Sequence, residues 1–311
     1  MTNFALDLEK LALATNPNTP AETLKGFAND KDAVVRWEVA SNSNTAVETL
    51  KVLANDKDAD VRWAVSNNSN TSVETLQVLA NDKSDNVRAG VASNANTVVE
   101  ILKDLATDNN DGVRIGVANN PNTSIETLKV LANDENDGVR NGVTENPNTP
   151  SEILRVLLID ANADVRRWVA ITSNPPTEIL KILASDSDAN VRLEVAYKDN
   201  NPIEILKILA SDSDANVRRL IACNDKTPVE ILQTLASDAD AKVRFEVVRN
   251  RNYNIIDDDY KIIDYEIGNL IEKQRAFKFV NYWEDTELEE QLYEDKYRTN
   301  FDYENGDLDN N

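Results

Sequence analysis

The side chains best suited to chemistry in this sequence are aspartates that lie two residues apart in a recurring segment. Asp30 and Asp32 form one such pair, and paired carboxylates can bind Ca²⁺ or act as acid and base. The second position of the pair varies along the chain, where Asp32 is replaced by Ser84 or Asn110. Because Asp, Ser and Asn all cap helices, capping explains this set better than metal binding or catalysis.

Other nucleophiles and bases are scarce. The chain has one cysteine, Cys223, and no histidine. Without a neighbouring base the thiol is not activated, and a single cysteine cannot form an intrachain disulfide. We therefore predict no catalytic site, no metal site and no cofactor.

A row of basic residues follows an invariant leucine in successive segments of the chain. Its members, with two glutamines completing it, are Lys25, Lys51, Gln77, Lys103, Lys129, Arg155, Lys181, Lys207 and Gln233. Regularly spaced lysines can follow a phosphate backbone. A glutamate lies three residues before each of them, however, and such alternation is typical of a solvated helix face.

The overall charge argues against nucleic acid and anionic lipid as partners. Acidic residues number 55 against 33 basic ones, which gives a net charge of −22, whereas such partners need clustered positive charge. No apolar run approaches the roughly 18 residues of a membrane span. The first residues also lack the features of a secretory signal, so we expect a cytoplasmic protein.

The elements that position these residues repeat every 26 residues. A Val-Arg pair occurs nine times at this spacing, and an aspartate always lies six residues before the arginine. These two rows, which we call the aspartate-arginine ladder, are Asp30 and Arg36, Asp56 and Arg62, Asp82 and Arg88, Asp108 and Arg114, Asp134 and Arg140, Asp160 and Arg166, Asp186 and Arg192, Asp212 and Arg218, and Asp238 and Arg244. Residues that are identical in every copy suit repeat-to-repeat packing, so we predict a structural role for them.

Each unit is predicted to contain two short helices. Thr19 is the predicted cap of the first, with Pro20 in its first turn and Glu22 completing a capping box, and Asp32 is the predicted cap of the second. Helices of about nine residues are marginal in water. Stacking of the units is therefore obligatory, and the predicted fold is an all-α solenoid of nine two-helix repeats.

We divide the chain into four segments on this basis. Residues 1–15 are predicted to form a capping half-repeat, residues 16–250 the solenoid, and residues 251–281 C-terminal capping helices. Residues 282–311 are predicted to form an acidic, aromatic and disordered tail, and the alternative is that this tail folds back onto the lysines of the array.

The repeat unit is best matched by residues 16–40 and reads Asn-Pro-Asn-Thr-Pro-x-Glu-x-Leu-x-x-Leu-Ala-x-Asp-x-Asp-x-x-Val-Arg-x-x-Val-Ala. This unit resembles that of the leucine-rich repeat variant family of bacterial proteins. Its aspartate and Val-Arg spacing also resembles HEAT repeats. The resemblance implies a right-handed superhelix whose second helices line the concave face. One family member carries an iron–sulfur cluster, but such a cluster needs several thiolates, so no cofactor is implied here.

The positions that vary between copies are the candidates for recognition. The two residues after each ladder arginine vary most, and we predict partner contacts from Trp37, Trp63, Gly90, Gly116, Gly142, Arg167, Trp168 and Arg219. The three glycines could floor a shallow notch bordered by Trp63 and Trp168. Alternatively, they allow close packing of adjacent second helices, or they are recent copies of one another.

The sequence therefore favours a monomeric, non-enzymatic scaffold that binds a protein partner through its second helices. The alternative is a nucleic-acid-binding protein of the HEAT-like DNA-repair type. The array remains net acidic, which disfavours that alternative. A lyase or chaperone on the same scaffold has no supporting residue.

Overall fold

The computed structural model describes residues 2–172 and 175–253, and these residues form α-helices joined by turns, with no strand among them. Nineteen helices are described: α1 (Thr2–Thr15), followed by nine pairs. The all-α repeat solenoid predicted from the 26-residue spacing is confirmed. The predicted capping helices and tail lie outside the described residues, apart from 251–253.

Every pair consists of a seven-residue first helix and a second helix of eight or nine residues. The first helices are α2 (Ala21–Phe27), α4 (Val47–Leu53), α6 (Val73–Leu79), α8 (Val99–Leu105), α10 (Ile125–Leu131), α12 (Ser151–Leu157), α14 (Thr177–Leu183), α16 (Ile203–Leu209) and α18 (Val229–Leu235). The second helices are α3 (Ala33–Ser41), α5 (Ala59–Asn67), α7 (Asp85–Ser93), α9 (Asp111–Asn119), α11 (Asp137–Glu145), α13 (Ala163–Ile171), α15 (Ala189–Ala196), α17 (Ala215–Cys223) and α19 (Ala241–Arg249).

The chain divides into two compact units, Met1–Thr227 and Pro228–Asn311. In the first, consecutive second helices from α3 to α17 pack side by side, and each first helix packs against the second helix of its own repeat. Helix α1 takes the place of a second helix before the first repeat, because it packs against α3 in the way that α3 packs against α5. The described part of the second unit contains α18 and α19, which pack against each other.

The core follows from the apolar periodicity of each repeat. The invariant leucine of the first helix is buried, as Leu24 and Leu50 show, and so are two valines of the second helix, such as Val35 and Val39. These positions face the same side of their helices. Each repeat therefore covers the apolar face of its neighbour.

One predicted cap is confirmed and one is wrong. Asp32 Oδ1 accepts a hydrogen bond from the Val34 amide at 3.0 Å, as expected of a helix cap. Thr19 does not cap α2. The helix begins at Ala21 after Pro20, and the buried Thr19 hydroxyl donates to the Leu13 carbonyl at 2.6 Å. Thr19 thus ties the start of the repeat to the helix before it.

Candidate protein-binding face

The ladder arginines join each repeat to the next one. Arg36 Nε and Nη2 donate to the two carboxylate oxygens of Asp56 at 2.6 and 2.9 Å, while Nη1 donates to the backbone carbonyl of Asp30 at 2.8 Å. The paired carboxylate is therefore 20 residues after the arginine, and the aspartate six residues before it contributes only its carbonyl. The same fork joins Arg62 to Asp82, Arg88 to Asp108, Arg114 to Asp134, Arg140 to Asp160, Arg166 to Asp186 and Arg192 to Asp212.

We call each of these side-chain pairs a rung of the aspartate-arginine ladder. At the first rung, Lys10 takes the place of an arginine. Its ammonium group lies 2.6 Å from Asp30 Oδ2. A point charge cannot form the two parallel hydrogen bonds of a guanidinium. The lysine side chain is also more exposed than the arginines of the inner rungs.

The rungs shift the acidity of their carboxylates. The hydrogen bond from Arg88 lowers the pKa of Asp108 by more than burial raises it. In a further set of rungs burial is the largest single influence and raises the pKa, but the arginine and a backbone amide together outweigh it and leave the pKa lowered. This set is Asp56, Asp82, Asp134, Asp160 and Asp186.

We predict that the array loses stability in acid through these rungs. A carboxylate whose pKa is lowered by folding stabilises the protein fully above its ordinary pKa of 3.8, and this contribution disappears as the pH falls through the lowered value. Urea unfolding followed by circular dichroism should therefore show a steep fall in midpoint below about pH 4. A variant with one rung removed, Arg114→Met/Asp134→Ala, should lose less stability on acidification than the wild type. An equal loss of stability would contradict the assignment of the acid sensitivity to the rungs.

A second ladder is built from buried asparagines that end the second helices. Asn120 Nδ2 donates to the carbonyls of Ala92 and Asn94 in the preceding repeat, at 2.7 and 3.0 Å. Asn42, Asn68, Asn94 and Asn146 make the same pair of contacts one repeat apart. Asparagine at the end of a helix is typical of a turn, so the sequence pattern alone does not reveal this role.

This asparagine ladder is interrupted where Thr172 and Lys198 occupy its position. The Thr172 hydroxyl donates within its own helix, to the Val169 carbonyl. Lys198 Nζ donates to the Thr172 carbonyl at 3.1 Å, and burial lowers the pKa of this lysine, although Glu194 opposes the shift. Lys198 therefore makes one of the two contacts that Asn120 makes at its own interface.

The three glycines of the predicted notch lie against neighbouring helices and do not floor an open surface. Gly90, Gly116 and Gly142 are all buried. A Cβ atom at Gly90 would lie 2.0 Å from Ser66 Oγ, and one at Gly116 would lie 2.9 Å from Ala92 Cβ. The glycines thus permit the close approach of adjacent second helices, which was the alternative interpretation.

We predict opposite effects for two glycine-to-alanine substitutions. Gly116→Ala should lower the free energy of unfolding by about 1 to 2 kcal/mol, because the overpacking cost exceeds the roughly 1 kcal/mol gained in helix propensity. Gly26→Ala is the matched control. Gly26 is exposed with nothing within 4 Å of the added carbon, so alanine should stabilise by up to about 1 kcal/mol. Urea titration of both variants measures the difference, and stabilisation by Gly116→Ala would contradict close packing.

Trp37 and Trp63 lie together, whereas Trp168 lies elsewhere. The first two occupy the same position of α3 and α5 and line one hollow of about 350 Å³, together with Asp58 and Asp60. Trp168 lines a different hollow, beside Leu154. The structure therefore does not place Trp63 and Trp168 at the borders of a single notch.

The two predicted arginines of this face are half-buried. Arg167 Nε lies 3.5 Å from Glu194 Oε1 of the next second helix, and its Nη1 lies 3.5 Å from Asp164 Oδ1. Arg219 occupies the corresponding position of α17. The open face of the second helices thus begins with tryptophans near α3 and carries arginines at α13 and α17.

A third contact between repeats links the starts of the second helices in the middle of the array. Asn136 Nδ2 donates to Asp111 Oδ2 at 2.7 Å, and Asn110 donates to Asp85 at the same distance. Asn162 pairs with Asp137 in the same way. In repeats whose second helix begins with alanine, the residue that caps the second helix of the following repeat is aspartate or serine and not asparagine. The first residue of a second helix and the cap of the next second helix therefore vary together along the chain. This covariation avoids placing two carboxylates next to each other.

Asn136→Asp is expected to destabilise the array by up to about 1 kcal/mol, because it places a carboxylate against that of Asp111. The cap itself survives, since Asp32 and Asp58 cap their own helices. The loss should shrink at high salt and in the double variant Asp111→Ala/Asn136→Asp. A double-mutant cycle by urea unfolding tests this, and additive effects would refute a direct contact.

The described residues contain no group of three or more acidic, cysteine or histidine side chains placed to hold a metal ion. None of the described helices has the length and apolar character needed to cross a bilayer. Cys223 is exposed at the end of α17.

Comparison with known proteins identifies the repeat. A solved structure described as a leucine-rich repeat variant with a novel repetitive structural motif is 28% identical, with a TM-score of 0.51, over 65% of this chain and 80% of that one. The resemblance to the leucine-rich repeat variant is therefore confirmed at the level of the fold.

Two other solved structures are similar over longer stretches but with lower scores. An engineered protein is 17% identical over 77% of this chain and 92% of its own, with a TM-score of 0.35. The Escherichia coli protein YibA is 18% identical over 82% of this chain and 98% of its own, with a TM-score of 0.36. These scores add nothing to the assignment of the leucine-rich repeat variant fold. No family model and no curated protein matches the sequence.

Proposed function

We propose that this leucine-rich repeat variant is a non-enzymatic scaffold that binds a protein partner through the open face of its second helices. One observation carries the proposal. The buried positions of the second helices repeat almost unchanged, whereas the open position after each ladder arginine changes from repeat to repeat. From α3 to α17 this position is Trp37, Trp63, Ala89, Ile115, Asn141, Arg167, Leu193 and Arg219.

Such variation suits recognition of a partner with a non-repeating surface. A repeating ligand would favour identical contacts in every copy, as the ladders have. Tryptophan and arginine are also the residue types most often found at binding hot spots. Binding without catalysis is supported by the ladder carboxylates, which are already engaged by arginine and so are poorly placed to act as acids or bases.

The basic row on the first helices gives less support to a nucleic-acid partner. Lys25 Nζ lies 3.7 Å from Glu22 Oε2 on the same helix, and each later member of the row also follows a glutamate by three residues. The positive charges therefore alternate with negative ones and do not form a continuous stripe.

Affinity capture from the source cell's lysate tests the proposal. Three baits are compared: the wild type, the double variant Trp63→Ala/Trp168→Ala on the second helices, and the control variant Val52→Ala/Val130→Ala on the first helices. Those valines are 54% and 60% exposed on first helices. We expect a defined protein that is retained by wild type and the control but lost by the tryptophan variant. Nuclease-sensitive material retained equally by all three would overturn the proposal.

A further inference from the structure

The Trp37/Trp63 hollow combines an aromatic wall with an acidic edge. Trp37 and Trp63 come from the same position of adjacent second helices, and Asp58 and Asp60 lie beside them. Trp63 is 38% exposed, although tryptophan is highly buried on average. Val34, which is also exposed, completes the apolar part.

The negative charge at this hollow is not balanced by the residues that line it. None of the lining residues is basic. Arg36 and Arg62 precede the tryptophans in sequence and attract Asp58 electrostatically, but the carboxylates that they bind are those of Asp56 and Asp82 respectively. Asp58 accepts the Asp60 amide through Oδ1 as a helix cap, and a backbone amide does not neutralise a carboxylate.

These features restrict the occupant. A purely apolar side chain would desolvate Asp58 and Asp60 without giving either a partner, which is costly. An anion would be repelled. A guanidinium group satisfies both parts of the hollow, because it stacks on an indole face and donates in parallel to a carboxylate.

We propose that the Trp37/Trp63 hollow binds an arginine side chain from an extended segment of the protein partner, an inference that rests on the proposed function. The hollow is open and admits one side chain, so the rest of the segment must find its contacts outside it. Ala89 and Ile115 continue the open face on the next two second helices. The net charge of −22 attracts a basic partner at long range.

The test uses the full chain with Trp168→Phe and Trp283→Phe, so that Trp37 and Trp63 are the remaining tryptophans. Their fluorescence is excited at a wavelength that tyrosine does not absorb. Two acetylated heptapeptides with amidated ends are titrated at low salt: arginine between two runs of three alanines, and the same peptide with neutral citrulline in place of arginine. We expect the arginine peptide to bind at least about fivefold more tightly, a preference of the size that cation–π and charge contacts give.

Matched variants assign the preference to the hollow. Asp60→Asn should reduce the arginine preference severalfold, whereas Asp164→Asn, at the same position of α13, should leave it unchanged. Trp63→Ala should abolish the preference, with Trp37 as the remaining reporter. Folding of that variant is expected, because Ala89 occupies this position one repeat later. Equal binding of the two peptides, or equal effects of the two asparagine substitutions, overturns the inference.

The outcomes separate this inference from the proposed function. If the captured protein is lost from Trp63→Ala/Trp168→Ala but the peptides bind equally, only the arginine assignment fails. If the peptides are discriminated but no captured protein depends on the second helices, the proposed function fails.

Discussion

Replacing Asp134 by alanine is expected to lower the free energy of unfolding by about 3 to 5 kcal/mol, because it leaves the buried guanidinium of Arg114 without its carboxylate. Both side chains of this pair are only 10% exposed. Arg114 Nη1 keeps its bond to the Asp108 carbonyl at 2.9 Å, but Nε and Nη2 lose both of their acceptors. Urea unfolding at pH 7 by circular dichroism measures the loss.

Two controls isolate the contribution of the uncompensated charge. The double variant Arg114→Met/Asp134→Ala should cost less than Asp134→Ala alone, because no buried charge remains unpaired. Lys25→Met removes one partner of an exposed pair, since the Lys25 and Glu22 side chains are 66% and 87% exposed, and should cost about 1 kcal/mol or less. If the single aspartate variant is no less stable than the double variant, the rung is not an ion pair of the kind described.

Asn120→Leu is the second substitution with a large expected effect, a loss of about 3 kcal/mol. The side chain is 2% exposed, and it satisfies the carbonyls of Ala92 and Asn94 and the amide of Asn122. Leucine would leave the Ala92 carbonyl and the Asn122 amide without these partners, at about 1 to 3 kcal/mol for each group that water cannot reach. The Asn94 carbonyl keeps its hydrogen bond from the Thr97 amide at 3.0 Å.

The neighbouring Asn122 is the matched control for Asn120. Its side chain also donates to the preceding repeat, at 2.7 Å to the Ala95 carbonyl, but it is exposed. Asn122→Ala should therefore cost about 1 kcal/mol or less, because water replaces the lost contact. Equal losses for the two variants in urea unfolding would show that burial does not give Asn120 its importance.

The repeat, its two helices and its core were predictable because they depend on local periodicity. Leu24 and Val35 are buried where the apolar pattern places them. The partner of each ladder arginine was not predictable. With a 26-residue period, the aspartate six residues before an arginine and the one 20 residues after it are the same position of the repeat. Only three-dimensional packing decides between them.

The roles of asparagine, glycine and tryptophan needed the structure for a similar reason. Asn120 has the sequence signature of a turn, and its amide donors reach carbonyls that lie 26 and 28 residues earlier. Gly116 could face solvent or a neighbour, because the missing side chain gives no periodic signal. Asp58 was predictable as a helix cap, but its place beside Trp37 and Trp63 depends on the stacking of two repeats.

The aspartate-arginine ladder also constrains how such a chain can change its length. Arg88 contacts Asp108 and Arg114 contacts Asp134, and each rung described from Lys10 to Asp212 spans the same 20 residues. If one whole repeat were excised or duplicated, each arginine would still meet an aspartate at that distance. An insertion of any other length between an arginine and its aspartate would change that spacing and disturb the rung at the junction. Gene lineages of this architecture should therefore lengthen and shorten in steps of 26 residues.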